Sequence, residues 1–140
     1  MFVVITRNFP PDLGGIQSLM EGLSKSLRKH GVIKIFADDF PNTKDYDKDL
    51  NLDITRIKGL KIFRKFRKAF LANDYLKNNI TKCIFFDHWK SLEHIRLEYL
   101  DKIPNFCLIH SKEINHPLGS LLNIRMNKAF KKTKFIIANS

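Results

Sequence analysis

Arg7-Asn8-Phe9-Pro10-Pro11-Asp12-Leu13-Gly14-Gly15-Ile16-Gln17 is the stretch on which the reading of the fold turns. Four apolar residues, Phe2 to Ile5, lead into it, and Ile16, Leu19, Met20, Leu23 and Leu27 follow on one helical stripe. The order predicts strand, loop, helix. Pro10-Pro11 stiffens the exit from the strand, while Gly14-Gly15 leaves no side chain between the backbone and a ligand at the helix start. The first turn of a helix carries unpaired amides and the positive end of the macrodipole, so Gly14, Gly15 and Ile16 are candidates to receive a phosphate or a sugar hydroxyl. The same pair also reads as a plain turn, with Asp12 capping the helix.

Working outward, Arg28-Lys29-His30-Gly31 ends the first helix with cations and a glycine, and Val32 to Ala37 is a second strand. Residues 38 to 51 are polar and acidic around Pro41 and read as a loop. Leu52 to Ile57 alternates, as an edge strand covered on one face does. Lys58 to Lys68 has six basic residues and no acid, interleaved with Leu60, Ile62, Phe63 and Phe66, with Phe70 beyond. Phe63, Phe66 and Phe70 share a helical face, which either packs on the sheet, the preferred reading, or dips into a bilayer surface; Lys61, Arg64, Lys65 and Lys68 are the candidate membrane contacts. Cys83 to Phe86 is a fourth strand running into Asp87-His88-Trp89, followed by a helix from Ser91 to Asp101. Phe106 to Ile109 is a fifth strand, ending in His110-Ser111-Lys112-Glu113. Leu118 to Lys132 is largely helical, and Phe135 to Ala138 is a sixth strand.

Short apolar strands alternating with helices predict an α/β fold, a Rossmann-like doubly wound parallel sheet of about six strands in a single domain over residues 1–140. In the strand order 3-2-1-4-5-6, strands one and four flank the crevice where such sheets bind ligands. The Gly14-Gly15 loop, Asp87-His88 and His110 to Glu113 then fall on one rim.

Composition narrows the partners. The 140 residues hold 25 Lys and Arg against 14 Asp and Glu, a formal charge of +11 that favours an anionic partner: membrane headgroups, nucleotide diphosphates, lipid-linked phosphates or nucleic acid. Cys83 and Cys107 sit in apolar runs and read as small buried hydrophobes, and no Cys/His spacing or carboxylate cluster suggests a metal. The start lacks a signal-peptide pattern and no stretch is long enough to span a bilayer, so a cytoplasmic location is expected.

With these residues in place, the chain resembles the family 4 glycosyltransferases, retaining, nucleotide-sugar-dependent enzymes of the two-domain GT-B architecture. The resemblance rests on Phe9 to Gln17, Lys29-His30-Gly31, Asp87-His88-Trp89, His110-Ser111-Lys112-Glu113-Ile114 and Phe135 to Ser140, with Ser111 where the family has glycine. It implies the N-terminal, acceptor-side half of such an enzyme, without the nucleotide-sugar-binding second domain, and inactive alone. It also implies that Gly14 and Gly15 approach the donor diphosphate, that His110 holds the transferred sugar, that Asp87 and His88 line the substrate crevice, and that Glu113 holds the loop or touches the acceptor; Lys112, beside them, reads as a phosphate contact or equally as a solvated side chain. Neither a metal nor a cofactor beyond the nucleotide sugar is implied. The acceptor would be a glycan or a lipid-linked sugar, in cell-envelope polysaccharide synthesis at the inner face of a membrane.

Rival readings make different demands. The G-x-G-x-x-G fingerprint of dinucleotide-binding domains and the Walker phosphate loop are both absent. A nucleic-acid module would use Lys58 to Lys68 with Phe63 or Phe66 stacking on bases, but gives no reason for the glycine pair. A non-catalytic module that binds membrane-linked sugar phosphates is the remaining alternative.

Overall fold

The computed structural model describes residues 1–139; Ser140, at the end of the last motif, lies outside the described residues. The chain runs β1 (Phe2–Thr6), α1 (Gly15–Arg28), β2 (Ile33–Asp38), α2 (Thr43–Leu50), β3 (Asp53–Ile57), α3 (Lys61–Asn78), β4 (Cys83–Phe86), α4 (Trp89–Leu92), α5 (Leu97–Lys102), β5 (Asn105–His110), a 3-10 turn (Ser111–Glu113), α6 (Leu121–Phe130) and β6 (Phe135–Asn139). All neighbouring strands are parallel, in the order β3-β2-β1-β4-β5-β6. The sheet is therefore the expected doubly wound one, with β1 and β4 adjacent at its centre.

Two apolar layers clothe it. On one face Val4, Ile33, Ile35, Ala37 and Leu108 meet Met20 of α1 and the buried Phe9, with Ile16, Leu23 and Leu27 packed alongside. On the other, Val3, Ile5, Ile84, Phe86 and Cys107 meet Ala69, Ala72 and Leu76 of α3, Trp89 and Leu92 of α4, Leu100 of α5 and Met126 and Ala129 of α6. The Cys107 thiol, deep in this second layer, has its pKa pushed up to about 12 by burial.

Three elements depart from the sequence expectation. Residues 43–50 form a helix rather than loop, bounded at both ends by left-handed asparagines, Asn42 and Asn51. Tertiary contacts hold it: Thr43 Oγ1 donates to Asp39 at 2.6 Å, and Asp47 pairs with Arg56 of β3 at 2.6 Å. The helix expected over 91–101 is broken into α4 and α5, because Asn73 of α3 clamps the intervening backbone, donating to the His94 carbonyl and accepting from the Arg96 amide. Finally, Phe63, Phe66 and Phe70 do not pack on the sheet. They are 63%, 51% and 71% exposed, and α3 turns Lys68, Ala69, Ala72 and Leu76 inward instead.

Candidate functional site

Two strand ends build the polar rim. Asp87, just beyond β4, is fully buried. Its Oδ2 accepts from the backbone amides of Arg7 and Asn8 at 2.9 and 3.2 Å, and its Oδ1 from Ser91 Oγ at 2.7 Å. The expectation that Asp87 lines the crevice is corrected: both oxygens are engaged internally, tying the loop after β1 to the start of α4.

His88 caps α4 and is also buried. Its Nδ1 accepts from the Lys90 amide at 2.9 Å, which assigns the proton of the neutral ring to Nε2. That nitrogen lies 3.2 Å from Glu113 Oε2, although poorly aligned for a hydrogen bond. Burial lowers the His88 pKa to about 4, Asp87 opposing and the Arg7 and Lys90 charges reinforcing the shift. Burial also raises the Glu113 carboxyl, partly offset by His110, Arg7 and Lys90. The Trp89 indole, in the core beside them, donates to the Glu113 carbonyl at 3.4 Å and anchors the 3-10 turn.

His110 closes β5, half-buried. Its Nε2 and the Oε2 of Glu113 are both buried and make no hydrogen bond among the described residues. A buried polar atom left without a partner is costly to the fold. Lys112 is exposed. The rim thus joins His88, His110 and Glu113, two of them with unengaged polar atoms at the carboxyl end of the sheet.

The glycine loop leads into an open helix start. No side chain caps α1 behind Gly14, and Asp12 does not do so: its carboxylate accepts from Gln17 Nε2 at 2.9 Å. A side chain at Gly14 would collide with the Gln17 amide, whereas the space in front of Gly15 is open. Gly14 and Gly15 are exposed and Ile16 is half-buried.

Beside the loop lies a cavity of about 910 Å³, bounded by Arg7 and Asn8 after β1, Leu60 to Lys65 at the start of α3, and Lys90 and Arg125 from α4 and α6. Apart from the α3 residues, sequence reasoning did not single out these cations; Arg7, directly after β1, and Lys90, in the first turn of α4 four residues beyond the end of β4, were the available signal. One expected surface cation belongs to the interior. Lys68 is 2% exposed, and its Nζ donates to Asp38 Oδ1 at 2.7 Å and to the Thr6 carbonyl at 2.9 Å, so Lys68 is no membrane contact. Lys61 is exposed and Arg64 and Lys65 are partly so. Among the described residues no three His, Cys, Asp or Glu side chains gather as a metal site, and no helix is long and apolar enough to cross a membrane.

No family model matches the chain. Among solved structures, MurG of Acinetobacter baumannii superimposes with a TM-score of 0.61 at 14% sequence identity, over 98% of this chain and 40% of that one. At that identity the likeness establishes the fold alone, a Rossmann-like parallel α/β domain, and this chain spans 40% of the length of the protein it matches.

Proposed function

We propose that the chain is the acceptor-side domain of a retaining glycosyltransferase of the family 4 kind, moving a sugar from a nucleotide-sugar donor to a glycan or lipid-linked acceptor. The carrying observation is the convergence of His88, His110 and Glu113 on one rim beside the uncapped start of α1. Open parallel sheets bind their ligands there, and the two unengaged polar atoms supply hydrogen bonds that the fold does not use.

In this reading the amides of Gly14, Gly15 and Ile16 receive the donor diphosphate at the positive end of α1. His110 donates to the transferred sugar and steadies charge near the reacting carbon, while Glu113 and His88 hold a hydroxyl and Lys112 reaches a phosphate. Asp87 acts indirectly, by fixing the loop after β1. No side chain is assigned as a nucleophile; the departing phosphate takes the acceptor proton on the same face. The reading needs a second, nucleotide-sugar-binding domain and no metal. It also sets the basic, aromatic face of α3 against an anionic membrane surface, through Lys61, Arg64 and Lys65.

The test is sugar transfer by the two-domain assembly with His110→Ala. Removing one such donor costs on the order of a hundredfold in turnover or more. Circular dichroism should be unchanged, because His110 Nε2 makes no bond for the fold to lose. Undiminished transfer by the variant removes His110 from the mechanism.

A further inference from the structure

The cavity beside the rim is strongly cationic, and its carboxylates are already engaged. Asp38 is held by Lys68, and Asp12 receives the Gln17 amide. Arg125 is neutralised by a two-pronged bond to Glu93 at 2.7 and 2.8 Å. Arg7 and Lys90, by contrast, form no ion pair among the described residues. The Lys90 ammonium stands 5.3 Å over the Trp89 ring, with the Arg125 guanidinium 5.7 Å from the same ring. Burial lowers the Lys90 pKa, and the charges of Arg7 and Arg125 lower it further, the mark of cations converging with too little counter-charge. The start of α3 opens onto the same cavity without a side-chain cap, adding the positive end of an 18-residue helix. At the lip, Leu60, Ile62 and Phe63 are exposed apolar side chains.

A cationic interior behind an apolar lip is complementary to an amphiphile with an anionic head. We propose that this cavity binds the phosphate or diphosphate of an alkyl-linked acceptor, with Arg7 and Lys90 on the phosphate oxygens and the alkyl portion along Leu60, Ile62 and Phe63. The proposal rests on the acceptor-side reading for the word acceptor, and goes beyond it in the chemistry it requires. The planar guanidinium of Arg7 offers paired donors, and Lys90 a point charge in surroundings drier than water. The donor diphosphate is a different anion: neither Gly14, Gly15 nor His110 lines the cavity.

The experiment titrates the full chain with hexyl phosphate, inorganic phosphate, hexyl glucoside and uridine diphosphate, by calorimetry at low salt. Hexyl phosphate is expected to bind more tightly than inorganic phosphate, and hexyl glucoside not at all. Arg7→Gln and Lys90→Gln, whose wild-type side chains make no hydrogen bond among the described residues, are each expected to weaken hexyl phosphate by about tenfold, the worth of one charged hydrogen bond. Unchanged affinity in both variants, or glucoside binding as tight as the phosphate, overturns the proposal. Inorganic phosphate binding as tightly as hexyl phosphate removes the amphiphile. Loss of uridine diphosphate binding by the same factor in the same variants gives the cavity to the donor and also overturns it. Transfer plays no part in this readout, so an inactive assembly leaves the binding result standing, and failed binding leaves the His110 test intact.

Discussion

Neighbouring residues at the end of β4 show how little separates a structural role from an available one. Asp87 has both carboxylate oxygens occupied by the protein, whereas His88, one position on, keeps a neutral ring whose Nε2 faces Glu113. An unfolded histidine titrates near its ordinary value of about 6.5, while the folded ring stays neutral down to about 4. Between those values the unfolded chain binds the extra proton, so this ring's contribution is intact above about pH 6.5 and is lost as the pH falls toward 4. Glu113 runs oppositely: its raised pKa means that the folded carboxyl takes its proton first, a contribution present in acid and lost as the pH rises. Urea unfolding from pH 7 to 5 should therefore show a wild type losing stability more steeply than His88→Gln. Parallel curves would mean that His88 titrates normally. The type and position of both residues were legible in the sequence. Their partners were not, because the contacts join residues 25 and 80 positions apart. Lys68 misled for the same reason: nothing local distinguishes a lysine bound to Asp38, 30 positions away, from its exposed neighbours.

At the scale of the element, α3 carries its information in which of two stripes faces inward. Both read as amphipathic, and the aromatic one was the natural candidate for the core. The sheet instead takes the small Ala69 and Ala72, which let the helix approach closely, and leaves the phenylalanines outside among Lys61, Lys65 and Arg67. Aromatic rings with basic neighbours suit an anionic bilayer surface, where each cation contributes about 1 kcal/mol. Sedimentation with phosphatidylglycerol-containing vesicles, and not with phosphatidylcholine alone, is the expected result. Joint Lys61→Gln, Arg64→Gln and Lys65→Gln substitution should weaken it on the order of a hundredfold, and Phe63→Ser with Phe66→Ser should also release the chain. Equal binding to both vesicle types would refute the contact. The short helix α2 and the break between α4 and α5 were illegible because each depends on a distant side chain, Arg56 in one case and Asn73 in the other.

At the scale of the molecule, the parallel, doubly wound sheet follows from alternation and handedness, global properties that a pattern of apolar runs already contains, whereas the order β3-β2-β1-β4-β5-β6 is one of several that alternation allows. That is why the sheet could be read when side-chain partners could not. Coverage of the sheet is uneven. On the face that α1 protects near β1, Phe85, Phe106 and Phe135 lie in register across β4, β5 and β6, their rings stacked at 5.1 and 4.9 Å. Protection thins along that row until Phe135 and Ile137 stand about half exposed. Such a stacked row is a slot for flat hydrophobic dyes: anilinonaphthalene sulfonate should fluoresce with the native chain before any denaturant is added. Phe135→Glu should quench that glow while far-ultraviolet dichroism holds steady, and a native chain that leaves the dye dark would mean the row is shielded. In practice the chain handled by itself should cling to phenyl resin and cloud on concentration, behaviour traceable to one uncapped stack of rings.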